Sequence, residues 1–172
     1  MLRFATWLSQ TSISLTIQIH LWIIPLIQCI HMIAFCVASI SVFMIAARVI
    51  GIGGKYQSLR ETLERFIPSM SLSLCVALVT GLLLVLGEPI RDLMSFSFWA
   101  KMSLLALVTL ATIFFQAATT RNIGYWEEVA INLWSIKTAA MFIALIWLAI
   151  IVLGRLIAYD NIWGALSHVP RD

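Results

Sequence analysis

Four apolar runs decide what this chain can become. They cover about residues 25–50, 69–87, 98–120 and 136–158, and each reaches the roughly 20 residues that a bilayer crossing needs. Inside hydrocarbon every backbone donor and acceptor must be satisfied within the fold. Runs this continuous do so as helices, because barrel strands would alternate in polarity. Of 172 residues 62% are hydrophobic and only 11% charged, and the mean hydropathy is +1.00, which leaves little chain for a soluble domain. The expected fold is an all-α membrane protein. It is a four-transmembrane-helix bundle forming a single membrane domain over residues 1–172, with an N-terminal interfacial helix over residues 4–23.

Residues 4–23 are the less hydrophobic lead-in. Ser12 to His20 alternates polar and apolar residues, a strand-like period. A lone strand at a membrane surface would leave its backbone unpaired, so an interfacial helix is the expected form. Trp7 and Trp22 suit that depth. No continuous apolar core precedes a cleavage site, so a signal peptide is not expected. Pro25 fits a first helical turn, and Gly51, Gly53 and Gly54 read as a helix stop. Between the first two spans a short helix is expected, with Glu61 and Arg65 as an i,i+4 pair, and Pro68 is expected to open the second span. Glu88 to Asp92 reads as a loop, and residues 121–135 as an interfacial turn and helix start.

Basic residues report orientation. Arg48, Lys55, Arg60 and Arg65 crowd the first loop, and Arg121 and Lys137 lie on the same side. Arg3, Arg91, Lys101, Arg155 and Arg171 lie on the other. The dense first loop is therefore expected in the cytoplasm and both termini outside, in the periplasm of a Gram-negative cell. The net charge of +3 is too small and scattered for nucleic acid. Cys29, Cys36 and Cys75 all fall within spans and form no zinc or c-type haem pattern. No nucleotide loop, serine-hydrolase motif or intramembrane acid pair occurs. The chain is thus not expected to be an enzyme by itself.

His31 carries the functional signal. It lies six residues past Pro25, about 9 Å into the first span at 1.5 Å per residue. An ionisable ring at that depth is costly, so it is a site candidate by default. Ala34 and Ala38 share its face, with Phe35 beside them, and small residues there make room for a planar ligand. Small residues at steps of four are also how membrane helices pack closely, as Ser73, Ala77 and Gly81 do on the second span. On the third span Lys101, Leu105, Thr109, Thr112 and Gln116 form one stripe that should face the bundle. Lys101 sits at a depth similar to His31, so the two can meet. His20 and His31 are only about 20° apart on a continuous helix, but Pro25 divides them. The remaining histidine, His168, is in the tail, so a two-haem bundle with bis-histidine ligation is rejected. The methionines are read as packing residues.

Several motifs together resemble a bacterial family of small four-helix inner-membrane proteins, a domain family of unknown function. They are the interfacial segment from Trp7, Trp22-x-x-Pro25-x-x-Gln28-x-x-His31, the Arg48-x-x-Gly51 exit, Pro68, Thr80-Gly81-Leu82-Leu83 and Phe98-Trp99-x-Lys101-Met102. The resemblance covers about residues 4–120. The family's acidic exit motif is replaced here by Ala46-Ala47-Arg48-Val49-Ile50-Gly51. A more distant similarity, resting on span number with His31 and Lys101, links the chain to membrane protoporphyrinogen oxidases and the copper-resistance D group. That similarity implies one haem b near the outer face, with His31 as its metal ligand and Lys101 at a propionate or near the second coordination position. Gln28, His31, Ala34, Ala38 and Lys101 are the expected cofactor-binding residues.

Two readings stand side by side. In one, the chain is an inner-membrane redox subunit that binds one b-type haem, or contacts quinone, and transfers electrons at the outer face. In the other it is a cofactor-free accessory subunit of a larger membrane complex, with His31 hydrogen-bonded to Gln116, Thr109 or Ser73. Copper or small-solute transport ranks below both, because four short helices do not readily form inverted repeats. The expected partners are the lipid bilayer and other membrane subunits or further copies of the chain.

Overall fold

The computed structural model describes residues 2–52, 58–128 and 133–157. Among these there are eight helices and no strand. α1 (Leu2–Ser9), α2 (Ser12–Ile19), α5 (Pro89–Met94) and α7 (Ile123–Glu128) are short. α3 (Ile23–Ile50), α4 (Leu59–Gly87), α6 (Phe96–Arg121) and α8 (Trp134–Leu156) are each long and apolar enough to cross a membrane. The chain is therefore a multi-pass membrane protein with an all-α, four-helix bundle. Gly53, Gly54, Lys55, Tyr159, Trp163, His168, Arg171 and the expected end of the last span at Ala158 lie outside the described residues.

The termini of the long helices follow local chemistry. α3 ends at Gly51, whose φ of 89° is left-handed. Its N–H and that of Ile52 both donate to the Ala47 carbonyl, at 3.0 and 3.1 Å, and only glycine adopts that cap without strain. α4 starts earlier than its apolar run. Ser58 and Glu61 form a reciprocal capping box: the Glu61 N–H donates to Ser58 Oγ at 3.0 Å, and the Ser58 N–H to Glu61 Oε2 at 3.1 Å. This cap and the Arg60–Glu64 pair at 2.7 Å fuse the expected short helix with the second span, and Pro68 lies inside the continuous helix. Glu61 serves the cap, so the expected Glu61–Arg65 pair is absent among the described residues. Arg65 instead lies over the Phe66 ring, 5.8 Å from its centroid.

The expected interfacial helix is two helices, broken at Gln10 and Thr11. Both pack near the C-terminal end of α4, α1 mainly against α5 and α2 against α4. Ser14, fully buried, donates to the Leu86 carbonyl at 2.6 Å and accepts from Gln18 Nε2 at 2.9 Å. A side chain at Gly87 would meet Ile17 at 3.3 Å, so the glycine permits the close approach. α5 replaces the expected loop, with Pro89 at its first turn. These three short helices cap one end of the bundle, the end that holds His31.

The bundle is uneven. α3 and α4 form its tightest pair, and α8 joins α3 to α6. α3 contributes Ala34, Ala38 and Ala46 to the interior, and α4 contributes Met70, Ser73, Ala77 and Thr80. Small residues let the two backbones approach, and packing rather than hydrophobicity drives association in lipid. Ala38 sits in a core with Val42, Met70, Val108, Trp147 and Ile150. Ala38→Leu should cost about 1–3 kcal/mol through overpacking and lower the melting temperature in detergent. Ile40→Leu, on the exposed face of the same helix, should leave it within about 0.5 kcal/mol of the parent; equal effects would contradict the packing described.

Candidate functional site

The site is built one helical turn at a time. His31, Phe35 and Ser39 follow one another at steps of four along α3, so they stack on one face. The Ser39 hydroxyl donates back to the Phe35 carbonyl at 2.6 Å. Trp147 of α8, 1% exposed, donates its indole N–H to Ser39 Oγ at 2.7 Å. Its ring stacks on Phe35 with centroids 5.8 Å apart. The His31 ring meets Phe35 from the next turn, at 5.3 Å.

α4 fixes the imidazole. His31 Nδ1 lies 2.8 Å from Thr80 Oγ1. The Thr80 hydroxyl has one proton, and the Val76 carbonyl lies 2.7 Å from its oxygen to take it. Thr80 Oγ1 therefore accepts, and His31 Nδ1–H donates. A backbone hydrogen bond from Ala77 also reaches the ring, and a carbonyl only accepts. The Thr80 bond places the proton on Nδ1, an assignment made from the hydrogen-bond network. Nε2 is left with its lone pair and has no hydrogen-bond partner among the described residues. Gly81 makes this seat: a Cβ there would lie 3.3 Å from His31 Cε1.

Lys101 reaches the same aromatic hub from α6. Ser95 caps that helix by accepting from the Phe98 N–H at 3.0 Å, and the Trp99 indole donates to the Leu93 carbonyl at 3.0 Å. The Lys101 ammonium sits 4.7 Å from the Phe35 centroid, a cation–π contact. Gly154 of α8 gives it space, since a Cβ there would lie 3.4 Å from Nζ. Among the described residues no acceptor hydrogen-bonds to this ammonium. Asp92 of α5 is the carboxylate whose charge reaches it.

The sequence-based expectations meet the structure unevenly. His31 and Lys101 both reach the Phe35 ring. Ala34 and Ala38 are buried in the helix interior, so the room they leave is filled by neighbouring helices. Gln28, one turn before His31 on α3, is exposed. The partner of His31 is Thr80, rather than Gln116, Thr109 or Ser73. Thr80, Trp147, Ser39 and Asp92 were missed. A tryptophan in mid-span rather than at an interface, whose N–H needs a partner, was the readable signal for Trp147. The Glu88-Pro89 start of a helix was the signal for α5 and hence Asp92.

No group of three His, Cys, Asp or Glu side chains gathers among the described residues, as a protein-built ion site would require. A haem brings its own four nitrogens and needs only axial ligands from protein. His31 offers an anchored ring with Nε2 open, the usual arrangement of a metal-binding histidine. Lys101 offers a cation for a propionate. Phe35 and Trp147 fill the interior beside them. No protein-family model, curated protein or solved structure matches the chain, so the functional reading rests on this geometry.

Asp92 is 6% exposed. It accepts from Arg91 Nε at 3.2 Å, and Arg91 also pairs with Glu88. Burial raises the Asp92 carboxyl above its ordinary value of 3.8, with Glu88 adding to the rise, while Arg91 and Lys101 oppose it. A raised carboxyl favours the protonated folded state. Its stabilisation is complete below the unfolded value and fades as pH rises through the folded one. Asp92→Asn should therefore raise the melting temperature more at about pH 7 than at about pH 4. Equal shifts at both would contradict the burial account.

Proposed function

We propose that this protein is a small redox subunit of a bacterial inner membrane that carries one b-type haem at His31. One observation carries the reading: the His31 ring, with no hydrogen bond at Nε2, and the Lys101 ammonium, with no hydrogen-bond partner among the described residues, both contact Phe35 at one end of the bundle. Polar groups left so in hydrocarbon are costly, and a ligand with a metal and an anionic arm would satisfy both. His31 Nε2 would ligate the iron, Thr80 would hold the imidazole in the required tautomer, and Lys101 would pair with a propionate. The bound haem supplies one-electron transfer.

The second axial position and the cover for the flank would come from another membrane subunit or a second copy of the chain. The charge of the first loop supports a cytoplasmic location for it, with both termini and the His31 end on the periplasmic side. The distant similarity to the membrane protoporphyrinogen oxidases, resting on span number with His31 and Lys101, implies the same cofactor. A second reading has its own support: the Thr80 bond already gives the ring a partner, as expected for a structural histidine in a cofactor-free accessory subunit.

The test is a reduced-minus-oxidised absorption spectrum of the protein extracted in mild detergent after expression with haem supplied. A b-type spectrum is expected in the parent, lost in His31→Ala and weakened in Lys101→Met. A colourless parent protein would contradict the haem reading and favour the accessory one.

A further inference from the structure

Glu88, Arg91, Asp92 and Lys101 gather at the His31 end of the bundle and are unevenly paired. Arg91 pairs with Glu88 and also donates to Asp92 at 3.2 Å. Among the described residues this is the only hydrogen bond that the Asp92 carboxyl makes, although the side chain is 8% exposed. One guanidinium thus serves two acids. Lys101 enters no ion pair among the described residues, yet its charge and that of Asp92 act on each other.

Two groups can therefore hold the Lys101 ammonium. It rests 4.7 Å from the Phe35 centroid, on the ring that His31 also touches. Side chains on a helix lean towards its N-terminus. Only Ser95 separates α6 from α5, so the Lys101 stem leans towards the helix that carries Asp92. That stem is a flexible chain of four carbons, able to swing its charge between ring and carboxyl. The proton on Asp92 decides between them. A neutral carboxyl carries no charge, and the ring keeps the ammonium. An ionised, buried carboxylate offers a charge-assisted hydrogen bond, which outweighs a cation–π contact. Burial and Glu88 favour the neutral acid, while Arg91 and Lys101 favour the ionised one. Arg3 of α1, the other helix packed on α5, is exposed and does not act on it.

We propose that Asp92 and Lys101 form a proton-controlled switch at the His31 end. With Asp92 protonated, the ammonium lies on Phe35, the position seen in the structure. With Asp92 ionised, it swings to the carboxylate and leaves the ring. Each change of position moves one proton between the Asp92 carboxyl and water, and Lys101 keeps its own. An anionic arm of a ligand would compete with Asp92 for the same ammonium, so acid conditions would favour the ligand. Only that competition rests on the function proposed above.

The experiment is solid-state NMR of the cofactor-free full chain in lipid bilayers, with ¹³C at aspartate Cγ and ¹⁵N at lysine Nζ. At about pH 5 the Asp92 Cγ shift should be that of a neutral acid, with no measurable coupling to Lys101 Nζ. At about pH 8 it should be that of a carboxylate, with the two nuclei within about 4 Å. Both changes should share one midpoint. Asp92→Asn identifies the signals by removing them. Lys101→Met, which takes away an opposing charge, should move the carboxyl midpoint to higher pH and identifies the lysine signal if Asp92→Asn does not fold. A carboxyl that titrates while the distance stays the same overturns the switch. So does a short distance at both values, or a carboxyl that stays in one state from about pH 4 to about pH 8. No cofactor takes part, so this result and the haem spectrum fail or stand separately.

Discussion

The hydrogen bond from His31 Nδ1 to Thr80 Oγ1, at 2.8 Å, is the constraint on which the His31 end depends. It ties α3 to α4, the most closely associated pair of helices, and it chooses the tautomer. Because the Thr80 proton goes to the Val76 carbonyl, the hydroxyl is left as an acceptor. The ring then turns Nε2 away from α4. Gly81 is part of the same device, since any side chain there would press on Cε1. Three neighbouring requirements, a small residue, a hydroxyl and a carbonyl already supplied by the helix, thus make a polar seat in an apolar bundle.

Phe35 joins that seat to the rest of the bundle. Its ring receives His31, Trp147 and the Lys101 ammonium, and its carbonyl receives Ser39. Burial sharpens the Trp147 contact, since its indole N–H, 1% exposed, has no water to turn to. The cap of α1, α2 and α5 closes over the same end, and Ser14 fastens it to α4. At the other end the spans diverge enough to leave a cavity. One half of the bundle is thus cross-linked by polar contacts and the other encloses an apolar cavity.

Much of this was legible beforehand. The four spans follow from apolar length alone, and Gly51 ends α3 as a helix-stop glycine should. His31 and Lys101 stood out because ionisable residues are rare at that depth. Other features were hidden for physical reasons. Pro68 looked like a helix start because proline usually is, yet the Ser58–Glu61 box nucleates the helix nearly three turns earlier and the helix tolerates the proline. Glu61 was claimed by that cap before Arg65 could use it. Thr80 was invisible as a partner because a threonine in a membrane helix ordinarily bonds its own i−4 carbonyl. Here it does so and still accepts from another helix. Ala34 and Ala38 had two meanings in sequence, ligand room or close packing, and both are buried within the bundle, Ala38 in a core with Val42 and Trp147.

The most direct measurement is the ¹⁵N spectrum of the His31 ring in lipid bilayers, with histidine labelled and His20→Gln and His168→Gln removing the other two signals. The arrangement described here predicts a neutral ring with the proton on Nδ1 and a bare Nε2 in the cofactor-free protein, and a mixture of tautomers in Thr80→Val. A proton on Nε2 in the parent, or a spectrum untouched by Thr80→Val, would contradict it, because Nε2 would then have no lone pair to offer and Thr80 would not be the residue that sets the ring.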